Sequence, residues 1–586
     1  MSRRKSLSQD EIYRLLFEEI PSDQDSVVDS DDSATDYTYL NQNVNKRQFC
    51  DKVLSSSESE KSDCETTNVS AAQPSTAALN VTVTWTQDTR VLPVPLYIQE
   101  SGVAAKIKNK ANHKPLDLFC EYFDEALIDH IVFHTNLYAT QSGKKFVPTD
   151  TCEIKTFIGI NLYMGITKKP SYRDYWSTEP DLGENYISKL MTVKRFSFLL
   201  SHLHLNDNSL APDRSSANYD KLYKIRPLLD HLGEKFLECY KPHQKLAIDE
   251  TMVKFKGRSS LKQYMRGKPI NRGYKIWMLC DESSYNLKFE IYTGKNLGAT
   301  EVGLGAKVVQ TLMSGFEGHH HIVFMDNYFS SYELFKNLKS KHQVYACGTI
   351  NHRRKFLPTL KDEKQLKRGE FDSRVSVDGV AVYRWKDNRA VNLISTCHDP
   401  SDVSSVNRKM KDGTITTIKC PQVLKDYNSY MNFVDNFDRL KSDYSTDRKS
   451  KKWWMRLFFH FIDCCVTNAF IMHKELPEEQ FTNKDFRRQV YKGLLAPRIV
   501  ASRGTTTSGG QGNSQSPITI KAHKPFVDKS IRHESSKHQP VHSTSKRCAA
   551  CSSRKNPVRT VWMCSVCKVP LCIRAGKECF RTYHTK

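Results

Sequence analysis

The sequence predicts a mixed α/β protein, a sheet core set among helices and followed by a small metal-binding module. Three observations carry this. Residues 245–350 alternate short apolar runs with stretches of helical periodicity. The segments on either side space their apolar residues as helices do. The last 41 residues hold six of the chain's 17 cysteines.

Charge narrows the function. The 586 residues carry a net +23, unevenly placed. Residues 1–65 hold 15 acidic and 8 basic side chains, a net of −7, so the remaining 521 carry +30. A basic body of that size suits a polyanion such as nucleic acid; the plainer reading is charge that serves solubility alone. Met1–Lys5 is polar and basic, and Ile12, Leu15, Leu16 and Phe17 are too few and too interrupted for a signal peptide. The closest approach to a membrane span, WWMRLFFHFIDCCVTNAFIM (453–472), contains Arg456, His460 and Asp463 and reads as a buried amphipathic helix. No membrane partner is expected, and the thiols are expected to be intracellular and reduced.

Along the chain, residues 1–112 are rich in Ser, Asp and Glu and read as a disordered acidic region. Within it, QDEIYRLLFEE (9–19) suits a short helix or docking peptide. A helical domain is predicted over 113–244, from the runs 116–139, 152–166, 193–205 and 218–240. Next come a strand in KLAIDETMVKF and a hairpin from 273–281 and 285–294. A helix over 300–316, the strand HIVFMD, a helix over 328–340 and a strand over 343–350 complete the run. This β-β-β-α-β-α-β order is the RNase H-like pattern, in which the first and fourth strands are central neighbours. Residues 352–421 read as a β-rich insertion, with hairpin turns at Asp378-Gly379 and Asp387-Asn388. The core returns as a helix over 422–445, and more helix runs over 446–500. A Ser/Thr/Gly linker spans 501–545, and the cysteine-rich module is 546–586.

Three acidic sites fall in telling slots. Asp249 lies mid-strand, Asp326 ends the strand predicted beside it, and Asp435 and Asp438 are three apart on one helix face. Two divalent cations about 4 Å apart can activate a water or 3′-hydroxyl and stabilise the leaving oxygen of a phosphodiester. Mg²⁺ (or Mn²⁺) prefers hard oxygen ligands of this kind. Each residue also has a plainer reading: Asp326 as a helix N-cap, Asp435 and Asp438 as a solvated face, Asp249 as a loop residue. The stretches KQYMRGKPINRGYK (262–275) and RKSKKWW suit a DNA path, Lys and Arg on phosphates and Trp and Tyr on bases. A solvated face with buried aromatics is the alternative.

The C-terminal end reads Cys548-x2-Cys551-x12-Cys564-x2-Cys567-x4-Cys572-x6-Cys579-x4-His584. Each Cys-x2-Cys pair can supply half a tetrahedral zinc site. Seven ligands predict one or two Zn²⁺, the two-ion form being a cross-brace short of one ligand that His542 or His538 would supply. With 10 basic residues against one acidic, the module is expected to touch DNA. A RING- or PHD-like protein-binding module is its rival.

LAIDETMVKFKGR, VFMDNYFSS, DYNSYMNFVDNFDRL and RKSKKWWMRLFF, in this order, resemble the piggyBac family of DNA transposases and their domesticated descendants. The resemblance runs from near residue 113 to the C-terminus. It implies an RNase H-like catalytic domain (245–351 and 422–445) with an insertion domain (352–421). Around it would lie a helical dimerisation and DNA-binding domain (113–244 and 446–500), followed by a zinc-binding cysteine-rich domain. It further implies Asp249, Asp326 and Asp435 as a catalytic triad, Asp438 as a fourth acidic residue, and Trp453 as the tryptophan of strand-transfer or hairpin chemistry. The implied protein is a nuclear, homodimeric transposase that acts on double-stranded DNA, at terminal repeats and TTAA targets, through hairpin ends. A domesticated DNA-binding relative without cleavage, or a zinc-module adaptor on a relic body, are the other readings. One departure stands out: the family has a histidine three residues after the fifth cysteine, where this chain has Ala575.

Overall fold

The computed structural model describes residues 83–504 and 537–585 apart from short stretches, the longest being 295–302, together with Val527, Arg532 and His533. The acidic region up to residue 82, including 9–19, and most of the linker lie outside the described residues.

The helical part follows its caps. Pro115 opens α1 (Pro115–Cys120), where a missing N–H costs nothing. Asp124 then accepts from the Leu127 amide at 2.9 Å and starts α2 (Glu125–Gln141). The run 116–139 is therefore two helices, because that cap restarts the chain. Asp150 caps α3 (Thr151–Ile166) in the same way, accepting from Glu153 at 2.8 Å. After α4 (Val193–His202), α5 (Arg226–Cys239) covers only the second half of the run 218–240. Pro227 fits a first helical turn and no interior position.

The sheet begins with β1 (Lys245–Lys254), antiparallel to β2 (Arg272–Asp281), itself antiparallel to β3 (Asn286–Ile291). Two helical crossovers follow: α6 (Leu304–Met313), β4 (Ile322–Met325), α7 (Tyr332–His342) and β5 (Tyr345–Thr349). β4 pairs parallel with β1, Ile248 opposite Met325, and parallel with β5 on its other side. The first and fourth strands of the predicted pattern are thus neighbours, and the RNase H-like order holds.

Residues 352–421 are β-rich, but not as a self-contained sheet. β6 (Phe371–Ser376), β7 (Ala381–Lys386) and β8 (Ala390–Ser395) form an antiparallel meander whose last strand pairs with β5, Leu393 opposite Thr349. They extend the core to a ten-stranded sheet that also takes in Trp85–Thr86 and Gln263–Tyr264. The physical reason is the open edge of β5, whose backbone groups need partners. β9 (Val403–Lys409) and β10 (Ile415–Pro421) pair only with each other.

The chain returns through α8 (Gln422–Tyr430), α9 (Phe433–Ser442), α10 (Trp453–Glu475) and α11 (Asn483–Gly504). The expectation of a buried α10 holds, while its amphipathy is corrected: almost every residue from Trp454 to His473 is buried, so it is a central core helix with no solvent face. Asp463 and Asn468 find their partners within the protein. Asp463 accepts from the Thr446 amide at 2.8 Å and pairs with Arg487 of α11. Asn468 exchanges two hydrogen bonds with the Asn286 backbone, both 3.0 Å. The C-terminal module has β11 (Pro540–Arg547) antiparallel to β12 (Arg559–Cys564), then α12 (Cys579–Thr585). Its first strand lies within the segment read as linker.

Candidate metal centres

β1 is buried along its interior except at Asp249 and Glu250, where both residues are half-buried and the alternation of a strand breaks. The register that sets Ile248 against Met325 makes Asp249 and Asp326 the next residues on two parallel neighbours. Asp326 lies just past β4. Its Oδ1 accepts from the Tyr328 amide at 2.9 Å, and its carbonyl accepts from Ser330 Oγ at 2.9 Å. The side chain caps a turn and faces Asp249's strand at once. Asp435 sits in the first turn of α9, which packs on β1.

The charges register one another. Burial pushes the Asp249 carboxyl well above its usual range; Lys268 pulls it down, while Glu250, Asp326 and Asp435 push it further up. Burial, then Glu250, raise Asp326 to about 6. Four carboxylates therefore share one field. Their oxygens are not drawn into a tight knot: among the described residues, the ligand groups with all atoms within 4.8 Å are both in the C-terminal module.

The other sequence-derived residues are placed as follows. Asp438 pairs with the buried Lys441 at 2.6 Å. Trp453, the first residue of α10, is half-buried. Its neighbour Trp454 is a core residue beside His204, ring centroids 5.7 Å apart.

Sequence reasoning missed Glu250. Within the stretch read as a DNA path, Lys268 and Lys275 both turn toward Glu250, at 2.9 and 3.9 Å. Lys275 is buried, its ammonium 4.7 Å from the Tyr328 ring centroid. Arg266 and Arg272 of the same stretch stay exposed. In RKSKKWW, Arg448 lies over the Tyr172 ring at 4.5 Å, tied into the helical shell. Strict strand alternation would send Asp249 and Glu250 to opposite faces, so no pattern announced them as a pair.

In the C-terminal module the ligands fall into two groups of four. Cys548, Cys551, Cys572 and Cys579 form one; His538, Cys564, Cys567 and His584 form the other. His538 Nδ1 lies 3.1 Å from Cys564 Sγ, and His584 Nε2 lies 3.5 Å from Cys567 Sγ. Cys551 and Cys572 approach to 3.7 Å. The hydrogen bond from Cys567, before other contacts, holds the Cys564 thiol well below its usual range. The groups interleave along the chain as a cross-brace does. Of the two candidates for the eighth position His538 fills it, while His542 sits against Trp562, centroids 5.7 Å apart. Ala575 lies outside the described residues.

The family description Transposase IS4 matches residues 114–470. Human PiggyBac transposable element-derived protein 3 is 31% identical over 487 residues, spanning 80% of this chain and 76% of that protein. The chain belongs to the piggyBac transposase family. A second human piggyBac relative, PiggyBac transposable element-derived protein 2, is 29% identical over 489 residues, with 80% of this chain and 76% of that protein covered. Among solved structures, a piggyBac transposase synaptic complex with hairpin DNA matches with a TM-score of 0.60 at 23% identity, over 81% of this chain and 98% of that one. The piggyBac fold is thus shared across the body of the chain. Membership implies divalent-metal chemistry, and the two Cys/His groups could bind zinc.

Proposed function

We propose that this chain is a metal-dependent DNA transposase of the piggyBac type, cutting and joining phosphodiesters at transposon ends and TTAA targets through hairpin intermediates. It would act in the nucleus as a homodimer on double-stranded DNA. The observation that carries the reading is the delivery of Asp249, Asp326 and Asp435, from two adjacent parallel strands and one helix, into a single buried field.

The donor set fits hard divalent cations: it is all carboxylate oxygen, and the Lys268 ammonium already stands among these charges as a cation would. Two Mg²⁺ or Mn²⁺ ions at such a site supply an activated water or 3′-hydroxyl and a stabilised leaving oxygen. Asp249, on the rigid central strand, would hold both ions; Asp326 would hold one and Asp435 the other. Asp438, one turn beyond Asp435, balances Lys441 and steadies α9. Trp453 offers an aromatic edge for a frayed base next to the cut. In the C-terminal module, two Zn²⁺ would take four ligands each, closed sites with a structural rather than catalytic part.

A second reading is favoured by the names of the human relatives, which are transposable element-derived proteins: DNA binding retained, cleavage lost. One assay separates the two. Given Mg²⁺ and DNA with terminal repeats flanked by TTAA, the protein should nick and form hairpins. Asp249→Ala and Asp326→Ala should abolish both while leaving DNA affinity within about threefold, because the phosphate grip is distributed over many basic residues. Tight binding with no cleavage by the unsubstituted chain would leave the second reading standing.

A further inference from the structure

Lys268 occupies an unusual place for a surface lysine. It sits at the tip of the loop between Gln263–Tyr264 and β2, a loop closed by the Met265 amide on the Asn271 carbonyl at 2.9 Å. Around it Arg266, Gly267, Pro269 and Asn271 are exposed, yet its own side chain folds back and is only 33% exposed. Its ammonium meets Glu250 Oε1 at 2.9 Å, and the Glu250 side chain is 7% exposed. Glu250 is held on its other oxygen by Lys275 at 3.9 Å, which is itself pinned over Tyr328 and Trp277. Of the charges acting on Lys268, Asp249 is the largest, followed by Glu250, with Asp435 also contributing. The loop therefore delivers a positive charge into the carboxylate field, and a buried, doubly held glutamate anchors it there.

A cation in that place has two consequences. It offsets the repulsion among Asp249, Asp326 and Asp435, and its charge opposes the entry of a divalent ion into the same field. The anchor on Glu250 means that losing the attraction of Asp249 would not send the lysine into bulk solvent. It would stay beside Glu250 at the rim of the site, its charge free to pair with the oxygens of a bound phosphodiester.

Resting on the function proposed above, we infer that Lys268 is an internal counter-cation of the carboxylate site that yields Asp249 to divalent metal and then contacts the substrate phosphate, with Glu250 as its positioning residue. Lys268 is thus both a brake on metal binding and a contact for DNA. The two roles predict opposite signs for one substitution.

Mn²⁺ binding to the full chain without DNA, followed by electron paramagnetic resonance of the free ion, reads the first role. Lys268→Met keeps the length of the side chain and removes its charge. It should tighten Mn²⁺ binding about tenfold, the scale expected for removing one like charge from the ion's surroundings. Lys268→Arg should leave the affinity within about twofold. At saturating Mn²⁺, Lys268→Met should still cleave at least tenfold more slowly than the unsubstituted chain. Unchanged or weakened Mn²⁺ affinity in Lys268→Met would overturn the inference, as would full cleavage at saturation. Asp249→Asn is the separate check on the site itself: if it keeps the Mn²⁺ affinity of the unsubstituted chain, the carboxylate reading fails, whatever Lys268 does. The exposed loop carries Lys268, and a thermal melt within about 2 °C of the parent would certify that each variant is folded.

Discussion

At Asp326 one carboxylate accepts the Tyr328 amide and lies level with Asp249, one step past the Ile248–Met325 pair. The sequence offered a choice between a helix N-cap and a metal ligand; Ser331 caps the helix instead, and the turn that Asp326 caps is compatible with a ligand role, because a carboxylate has lone pairs left over after one hydrogen bond. The histidines before the cysteine-rich stretch posed a sharper choice. His538 and His542 lie four apart in a segment whose composition continues the linker, so spacing alone could not rank them. Pairing of β11 with β12 decides it, laying His542 beside Trp562 and leaving His538 against Cys564 and Cys567. The expected result is two zinc ions per chain in the purified protein, one in His538→Ala and two in His542→Ala, measured by elemental analysis after dialysis. Two zinc ions retained in His538→Ala would return the eighth position to another residue.

The elements around the site depend on a few close backbone approaches. Gly273 in β2 stands opposite Lys254 of β1, and a Cβ there would come within 2.0 Å of the Val253 carbonyl oxygen. Only backbone movement could relieve that contact. Gly273→Ala should therefore destabilise the chain by about 1–3 kcal/mol, the usual range for overpacking, and should slow cleavage by shifting the strand that carries Asp249. Denaturant melts and the nicking assay read the two effects, and a stable, fully active variant would contradict the close approach. At this scale the sequence was most legible where period and turn residues agreed, as in β1 to β5 with their two crossover helices. It was less so where non-local partners decide. The pairing of β8 with β5 rests on an edge that no local pattern announces. Likewise, α10 looked amphipathic because Arg456, His460 and Asp463 interrupt it, while Arg487 and Thr446 for Asp463, and the Lys254 carbonyl for Arg456, come from elsewhere in the chain.

Over the whole molecule the division of charge matters more than its total. The first 65 residues carry −7 and the rest +30, so the acidic segment lowers the net charge of the chain by opposing that of the basic remainder. Part of the basic surface is also held internally, since Lys275 pairs with Glu250 and Arg448 lies over Tyr172. The exposed remainder, Arg266 and Arg272 among it, is what phosphates can reach. Removing residues 1–65 raises the net charge from +23 to +30 and leaves every residue of both metal centres in place. DNA affinity should then rise several-fold at 50 mM salt and differ little at 300 mM, because screening shortens the reach of added charge from roughly 14 Å to below 6 Å. Fluorescence anisotropy with a labelled duplex across that range reads it directly. The slope of log affinity against log salt should steepen if the acidic segment had been competing with phosphates for the same basic side chains, since more counterions would then be released on binding. An unchanged slope with a uniform rise in affinity would instead mark a long-range field effect, and equal affinities at 50 mM would show that the acidic segment does not act on DNA binding at all.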